Sequence, residues 1–126
     1  MSPVVVDSSV ILAVLKQEPG AESANHLDQA LASTVNLTEV ITKLLQLGYN
    51  DDQTRGVIAE LSLQSVAFTD EFINLTAQLI KQTKPYGLSL GDRACLALGI
   101  TKNLPVLTAD RAWTKIDLPV EVMVIR

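Results

Sequence analysis

The sequence is poor in the residues that carry most enzyme chemistry. It has one histidine, His26, so any nuclease engine built on two histidines is excluded. It has one cysteine, Cys95, so no intramolecular disulfide can form, and a reducing compartment fits best. Cys95 sits mid-helix among apolar residues with no histidine in sequence reach, and reads as a packing residue rather than a nucleophile. There is no Gly-rich phosphate loop, no zinc-ligand spacing, no internal repeat and no low-complexity tract. The N-terminus shows no basic stretch, and its apolar run at 3–6 is cut by Asp7, so no signal peptide is read. No apolar run approaches the roughly 20 residues that span a bilayer. The expectation is a cytoplasmic protein without membrane contact. Basic residues are also short: 10 Lys and Arg against 14 Asp and Glu leave a net charge of −4. Alone, that argues against nonspecific nucleic-acid binding, which depends on neutralising phosphates. The objection weakens if several acids share one site and hold divalent cations, because the local field then changes sign.

What is present is aliphatic. Of 126 residues, 48% are hydrophobic and only 4% aromatic, the make-up of one compact α/β domain spanning 1–126. A mean hydropathy of +0.27 suggests apolar surface that a partner or second copy covers. The pattern predicts a buried strand at 3–6, then a helix over 10–16 capped by Ser8 or Ser9 and broken at Pro19-Gly20. A weakly amphipathic helix follows at about 21–32, with a short strand at 34–35. Asn36 caps a helix over 37–47, with Gly48 as its stop. Asp51-Asp52 opens a helix to about 63, before a strand at 65–68. Thr69 caps a helix to about 81, a loop covers 84–88, and an apolar, central helix covers 91–102. A strand at 105–108, a helical turn at 110–113 and a strand at 120–125 complete the chain. This alternation implies a central, mostly parallel sheet with helices on both faces. Sites in such sheets form beyond the carboxyl ends of the strands.

Four acids fall where that edge should be. Asp7 and Asp110 follow the first strand and the 105–108 strand; taken singly, each reads as a helix cap. Asp92 reads as the reciprocal member of a capping box with Ser89, yet its i+3, i+4 and i+7 neighbours Cys95, Leu96 and Gly99 put it on the inward stripe of its helix. Glu39 reads as a box partner of Asn36 or an i,i+4 partner of Lys43. Together they suggest something else. Carboxylates crowded without bases are kept ionised by divalent cations, and all-oxygen ligands select Mg²⁺ or Mn²⁺ over zinc. Such cations are a standard engine of phosphodiester hydrolysis. Arg93 and Arg111, each next to one of these acids, are either surface charges or contacts to a phosphate backbone.

The segments VVVDSSVILAVL, NLTEV, LSLGDRACLALG and PVLTADRAW resemble, in order and spacing, the four acidic blocks of PIN-domain ribonucleases. Within them, Glu18-Pro19-Gly20 and LSLGDRACLAL look like the VapC group of bacterial toxins. The resemblance implies a PIN-like domain in which Asp7, Glu39, Asp92 and Asp110 form a metal site assisted by Ser8 and Thr108. It also implies Mg²⁺- or Mn²⁺-dependent endonucleolytic cleavage of RNA, homodimerisation, and inhibition by a cognate antitoxin. Two other readings compete. A phosphoacceptor receiver domain also carries acids at strand ends, but needs an acidic cluster after the first strand and a late lysine, whereas Asp7 is followed by Ser8-Ser9 and Thr108-Ala109-Asp110 supplies no lysine. The other is a catalytically silent partner-binding domain of the same fold.

Overall fold

Val5 and Val6 are both fully buried, and successive residues of a strand face opposite ways. Val5 packs with Leu31, Val106, Leu96 and Phe72, while Val6 packs with Ala32, Val10, Ile11 and Val40. The strand that carries them therefore lies between two apolar layers, which is why its sequence is apolar without alternation. The chain is seen in a computed structural model that describes residues 3–18, 20–24 and 27–126.

The elements run β1 (Val5–Val6), α1 (Ser8–Lys16), a 3₁₀ turn Ala21–Ala24, β2 (Leu31–Ser33), α2 (Thr34–Gln46), α3 (Asp51–Glu60), β3 (Gln64–Val66) and α4 (Asp70–Gln78). There follow α5 (Ile80–Thr83), a 3₁₀ turn Lys84–Tyr86, α6 (Leu90–Lys102), β4 (Val106–Thr108), a 3₁₀ turn Arg111–Lys115 and β5 (Val122–Val124). The strands form one sheet in the order β3-β2-β1-β4-β5, and every pairing is parallel. Helices α4 and α6 cover the Val5 face, and α1 and α2 cover the Val6 face. From β1 the chain builds outward through β2 and β3, then returns to the other side of β1 with β4 and β5. The direction of winding thus switches between β1 and β4, the position where open parallel sheets leave a crevice at their carboxyl edge. Asp7 follows β1 there, and Asp110 follows β4.

The expected α/β layout holds, with local corrections. The helix expected over 21–32 is a 3₁₀ turn at Ala21–Ala24 and the strand β2. The stretch is rich in helix-favouring Ala and Leu, but Leu31 to Ser33 are claimed by pairing with β1 on one side and β3 on the other. The strand expected at 34–35 is consequently the first turn of α2, whose cap is Ser33 and not Asn36. Helix α1 starts at Ser8, with Asp7 itself as the cap. Thr69 occupies the N-cap position of α4, but its side chain makes no capping bond. The loop expected at 84–88 begins with a 3₁₀ turn. Pro19 and His26 lie outside the described residues. Among the described residues no helix is long and apolar enough to cross a membrane.

Candidate active site

Asp7 is 2% exposed, and its carboxylate is fully engaged with neighbours. Oδ1 accepts from the Val10 amide at 3.0 Å and the Ser9 hydroxyl at 2.6 Å, while Oδ2 accepts from the Thr108 hydroxyl at 2.7 Å. The first bond caps α1; the last ties the end of β1 to the end of β4. Ser9 Oγ also accepts from the Ala109 amide at 3.0 Å, and Thr108 Oγ1 from the Asp110 amide at 3.1 Å. The two strand ends are thus stitched together by hydroxyls. Burial pushes the Asp7 carboxyl up from 3.8 to about 6, against the pull of its hydrogen bonds to Ser9, Thr108 and Val10; the negative charge of Asp92 adds to the rise.

Glu39 leaves α2 one turn past its start and is held by two donors. Ser8 Oγ donates to Oε1 at 3.0 Å, and Asn36 Nδ2 donates to the same oxygen at 3.1 Å. Asn36 is completely buried and also donates to the Gly91 carbonyl at 3.0 Å, so it clamps Glu39 against the first turn of α6. Glycine at position 91 leaves room for that carboxylate: a Cβ there would lie 2.3 Å from both carboxylate oxygens of Glu39, which would have to move.

Asp92 does what its capping-box position foretells, accepting from the Ser89 amide at 2.9 Å while Ser89 Oγ accepts from the Asp92 amide at 3.2 Å. It is also half-buried, and its carboxyl is raised by burial first and then by the charges of Glu39 and Asp110. Asp110 is exposed and caps the turn Arg111–Lys115 through the Ala112 amide at 3.0 Å. The four acids therefore gather at one edge of the sheet, and among the described residues none of them forms a salt bridge. Buried Cys95 feels the same field: burial first, then Asp7, Asp92 and Glu39, drive its thiol well above 9.0.

The donor set suits a hard divalent cation. Glu39 Oε2, Asp92 Oδ1 and Asp110 Oδ2 accept no protein hydrogen bond among the described residues. As the side chains stand, however, no three acids, histidines or cysteines among the described residues converge so as to hold a metal ion. Mg²⁺ does not require that, since it keeps several waters and binds through one or two carboxylates.

Both residues expected in supporting roles touch the acids: Ser8 reaches Glu39 and Thr108 reaches Asp7. The two arginines part company. Arg93 Nη1 donates to the Thr76 carbonyl at 2.9 Å, which binds it to α4, whereas Arg111 is exposed beside Asp110. Sequence reasoning missed three contributors, Ser9, Asn36 and Gly91. The i,i+3 spacing of Asn36 and Glu39 was a readable signal, since it puts both on one helix face.

Comparison with known proteins agrees with this fold. The family model described as the PIN domain matches residues 4–118. The chain is similar in fold to VapBC from Salmonella typhimurium in its DNA-bound structure, with a TM-score of 0.75, 14% identity and full coverage of both chains. It is similar to VapBC2 from Rickettsia felis bound to a promoter DNA fragment, with a TM-score of 0.73 and 12% identity over 97% of this chain and 98% of that one. A toxin–antitoxin complex from Klebsiella pneumoniae matches with a TM-score of 0.69 and 17% identity over 94% of this chain and 98% of that one. No curated protein sequence matches the chain.

Proposed function

The chain belongs to the PIN-domain family, and from that premise we propose that it is a Mg²⁺- or Mn²⁺-dependent endoribonuclease acting as the toxin of a toxin–antitoxin pair. The observation that carries the reading is the gathering of Asp7, Glu39, Asp92 and Asp110 at one sheet edge, where Thr108 links Asp7 to the Asp110 amide and Asn36 links Glu39 to the first turn of α6, with no salt bridge to any of the four among the described residues. PIN domains generally use divalent metal ions, and these four acids are the ones that would hold them here. When bound, such an ion lowers the pKa of a water and stabilises the charge of an in-line phosphoryl displacement. The protein's part is to aim the acids. Ser9 and Thr108 fix Asp7, Ser8 and Asn36 fix Glu39, and Ser89 fixes Asp92. Preset geometry of this kind supplies orientation without reorganisation during the reaction.

The toxin role and the antitoxin partner are supported by the likeness in fold to chains of toxin–antitoxin complexes. A homodimer is supported by large apolar side chains left exposed, among them Leu45, Leu47, Ile73 and Leu90. One observation favours a catalytically silent PIN domain: among the described residues no three acids converge as ligands. Manganese separates the two. An ion that binds only the folded state raises its melting temperature by mass action, and a variant combining Asp7→Asn, Glu39→Gln, Asp92→Asn and Asp110→Asn should lose that response. The deciding experiment incubates the purified protein with mixed-sequence single-stranded RNA in Mn²⁺ or in EDTA. Cleavage in Mn²⁺ that is lost in EDTA and in Asp92→Asn supports the nuclease; intact RNA under all conditions, with no thermal response to manganese, sinks it.

A further inference from the structure

Four of the chain's 10 Lys and Arg residues fall in two stretches that contain no acid. No acid occurs between Glu71 and Asp92, a stretch that contains Lys81 and Lys84, and none occurs between Asp110 and Asp117, a stretch that contains Arg111 and Lys115. The two stretches meet in space: Tyr86 donates its hydroxyl to the Lys115 carbonyl at 3.4 Å. Lys81, Lys84, Tyr86, Arg111 and Lys115 are all exposed. Both stretches also start at the acids. Going backwards from Asp92, its capping partner Ser89 leads through Leu88 and Gly87 to Tyr86. Going forwards from Asp110, the turn it caps carries Arg111 and Lys115. Asp92 and Asp110 thus each border one of the stretches, and the bridge between Tyr86 and Lys115 closes a basic rim beside the acidic edge.

We propose that this rim is the track for the phosphate backbone of single-stranded RNA, with the exposed ring of Tyr86 as a stacking platform for one base. The proposal rests on the nuclease reading for its ligand, but the surface stands on charge and geometry. On a chain of net charge −4, two meeting stretches that together carry four cations and no acid offer a polyanion less repulsion than the acidic segments around them. An aromatic ring between cations is the arrangement by which single strands are held without sequence preference. It also replaces Arg93, which the α4 carbonyl already occupies, as the companion of Arg111.

The test measures affinity against salt for a fluorescent mixed-sequence single-stranded RNA, with Ca²⁺ in place of Mn²⁺. Each phosphate contact in a single strand contributes about 0.7 to the slope of log affinity against log salt, so Lys84→Gln with Lys115→Gln should flatten it by about 1.4. Lys43→Gln with Lys102→Gln, carried by α2 and the far end of α6, should leave it unchanged. Tyr86→Ala should weaken binding about tenfold, and Tyr86→Phe should restore it, because the ring rather than the hydroxyl stacks. A parent slope retained in Lys84→Gln/Lys115→Gln overturns the proposal, and so does an RNA affinity untouched by Tyr86→Ala, as would follow if the rim served an acidic protein partner. Either result leaves the nuclease reading standing so long as the parent cleaves RNA in Mn²⁺. A parent that neither binds nor cleaves the probe removes both.

Discussion

Gly91 and Glu39 are shaped to each other: the space a side chain at 91 would need is filled by the Glu39 carboxylate, 2.3 Å from an ideal Cβ. The obstruction is the mobile end of a side chain and not backbone, so Gly91→Ala is expected to keep the fold. Alanine is the better helix former by up to about 1 kcal/mol, so the melting temperature should hold or rise. Glu39 must then leave Ser8 and Asn36, and RNA cleavage should fall by at least tenfold. Circular dichroism melting alongside a cleavage assay checks both. A variant that cleaves at the parent's rate would show that the position of Glu39 does not matter.

Asp7 sets a pH dependence whose sign is opposite to that of a salt-bridged acid. Its carboxyl titrates near 3.8 as a free group and at about 6 when folded. Between those values the folded chain holds more proton than the unfolded one, so stability falls as pH rises through the window. The effect is worth about 3 kcal/mol at most. In EDTA, urea unfolding at about pH 4 and about pH 7 should show the parent losing stability relative to Asp7→Asn. Parallel behaviour of the two proteins would mean that Asp7 ionises freely in the fold.

Cys95 is expected to be chemically silent. It is fully buried, and its thiolate is disfavoured by burial and by three nearby acids. Iodoacetamide at neutral pH should label it only as fast as the chain unfolds, and urea should release that protection. Rapid labelling of the native protein would contradict the packing described.

Arg93 and Arg111 should respond differently to truncation. Arg93 Nη1 bonds the Thr76 carbonyl, and a hydrogen bond to a charged group is worth about 1.5–3 kcal/mol. Arg93→Ala should therefore cost stability of about 1–2 kcal/mol once partial exposure is allowed for. Arg111, exposed on its turn, should stay within about 0.5 kcal/mol. Equal melting temperatures for the two variants would remove the α4 anchor from the account of Arg93.

How far the sequence could be read depended on how local each cause was. The buried strands β1 and β4 were legible because residues apolar on both faces leave an unbroken apolar run. Helix α6 was legible to its cap, since Ser89 and Asp92 lie within four residues of each other. Strand β2 was not, because Leu31, Ala32 and Ser33 become a strand only through partners 26 and 33 residues away at Val5 and Gln64. That error moved the start of α2 and turned Asn36 from a buried clamp into a supposed cap. The four acids were legible as a set because strand ends and helix starts meet at one edge. The donors that orient them were less so: Thr108 and Ser8 came from resemblance, and the carbonyl that holds Arg93 comes from a helix with no sequence link to it.

The stitching of β1 to β4 also decides when the acidic edge can exist. Thr108 and Asp7 are 101 residues apart, and Ala109 and Ser9 are 100 apart, so the central seam of the sheet joins segments far apart in sequence. Contacts of such long sequence separation form late and slowly. A growing chain carries Asp7 long before β4, so the Asp7 Oδ2 atom has no partner and Asp110 is missing until that strand and its edge have been made. Products of translation interrupted before β4 would lack the seam altogether. The complete set of acids belongs only to a chain made through β4 and Asp110.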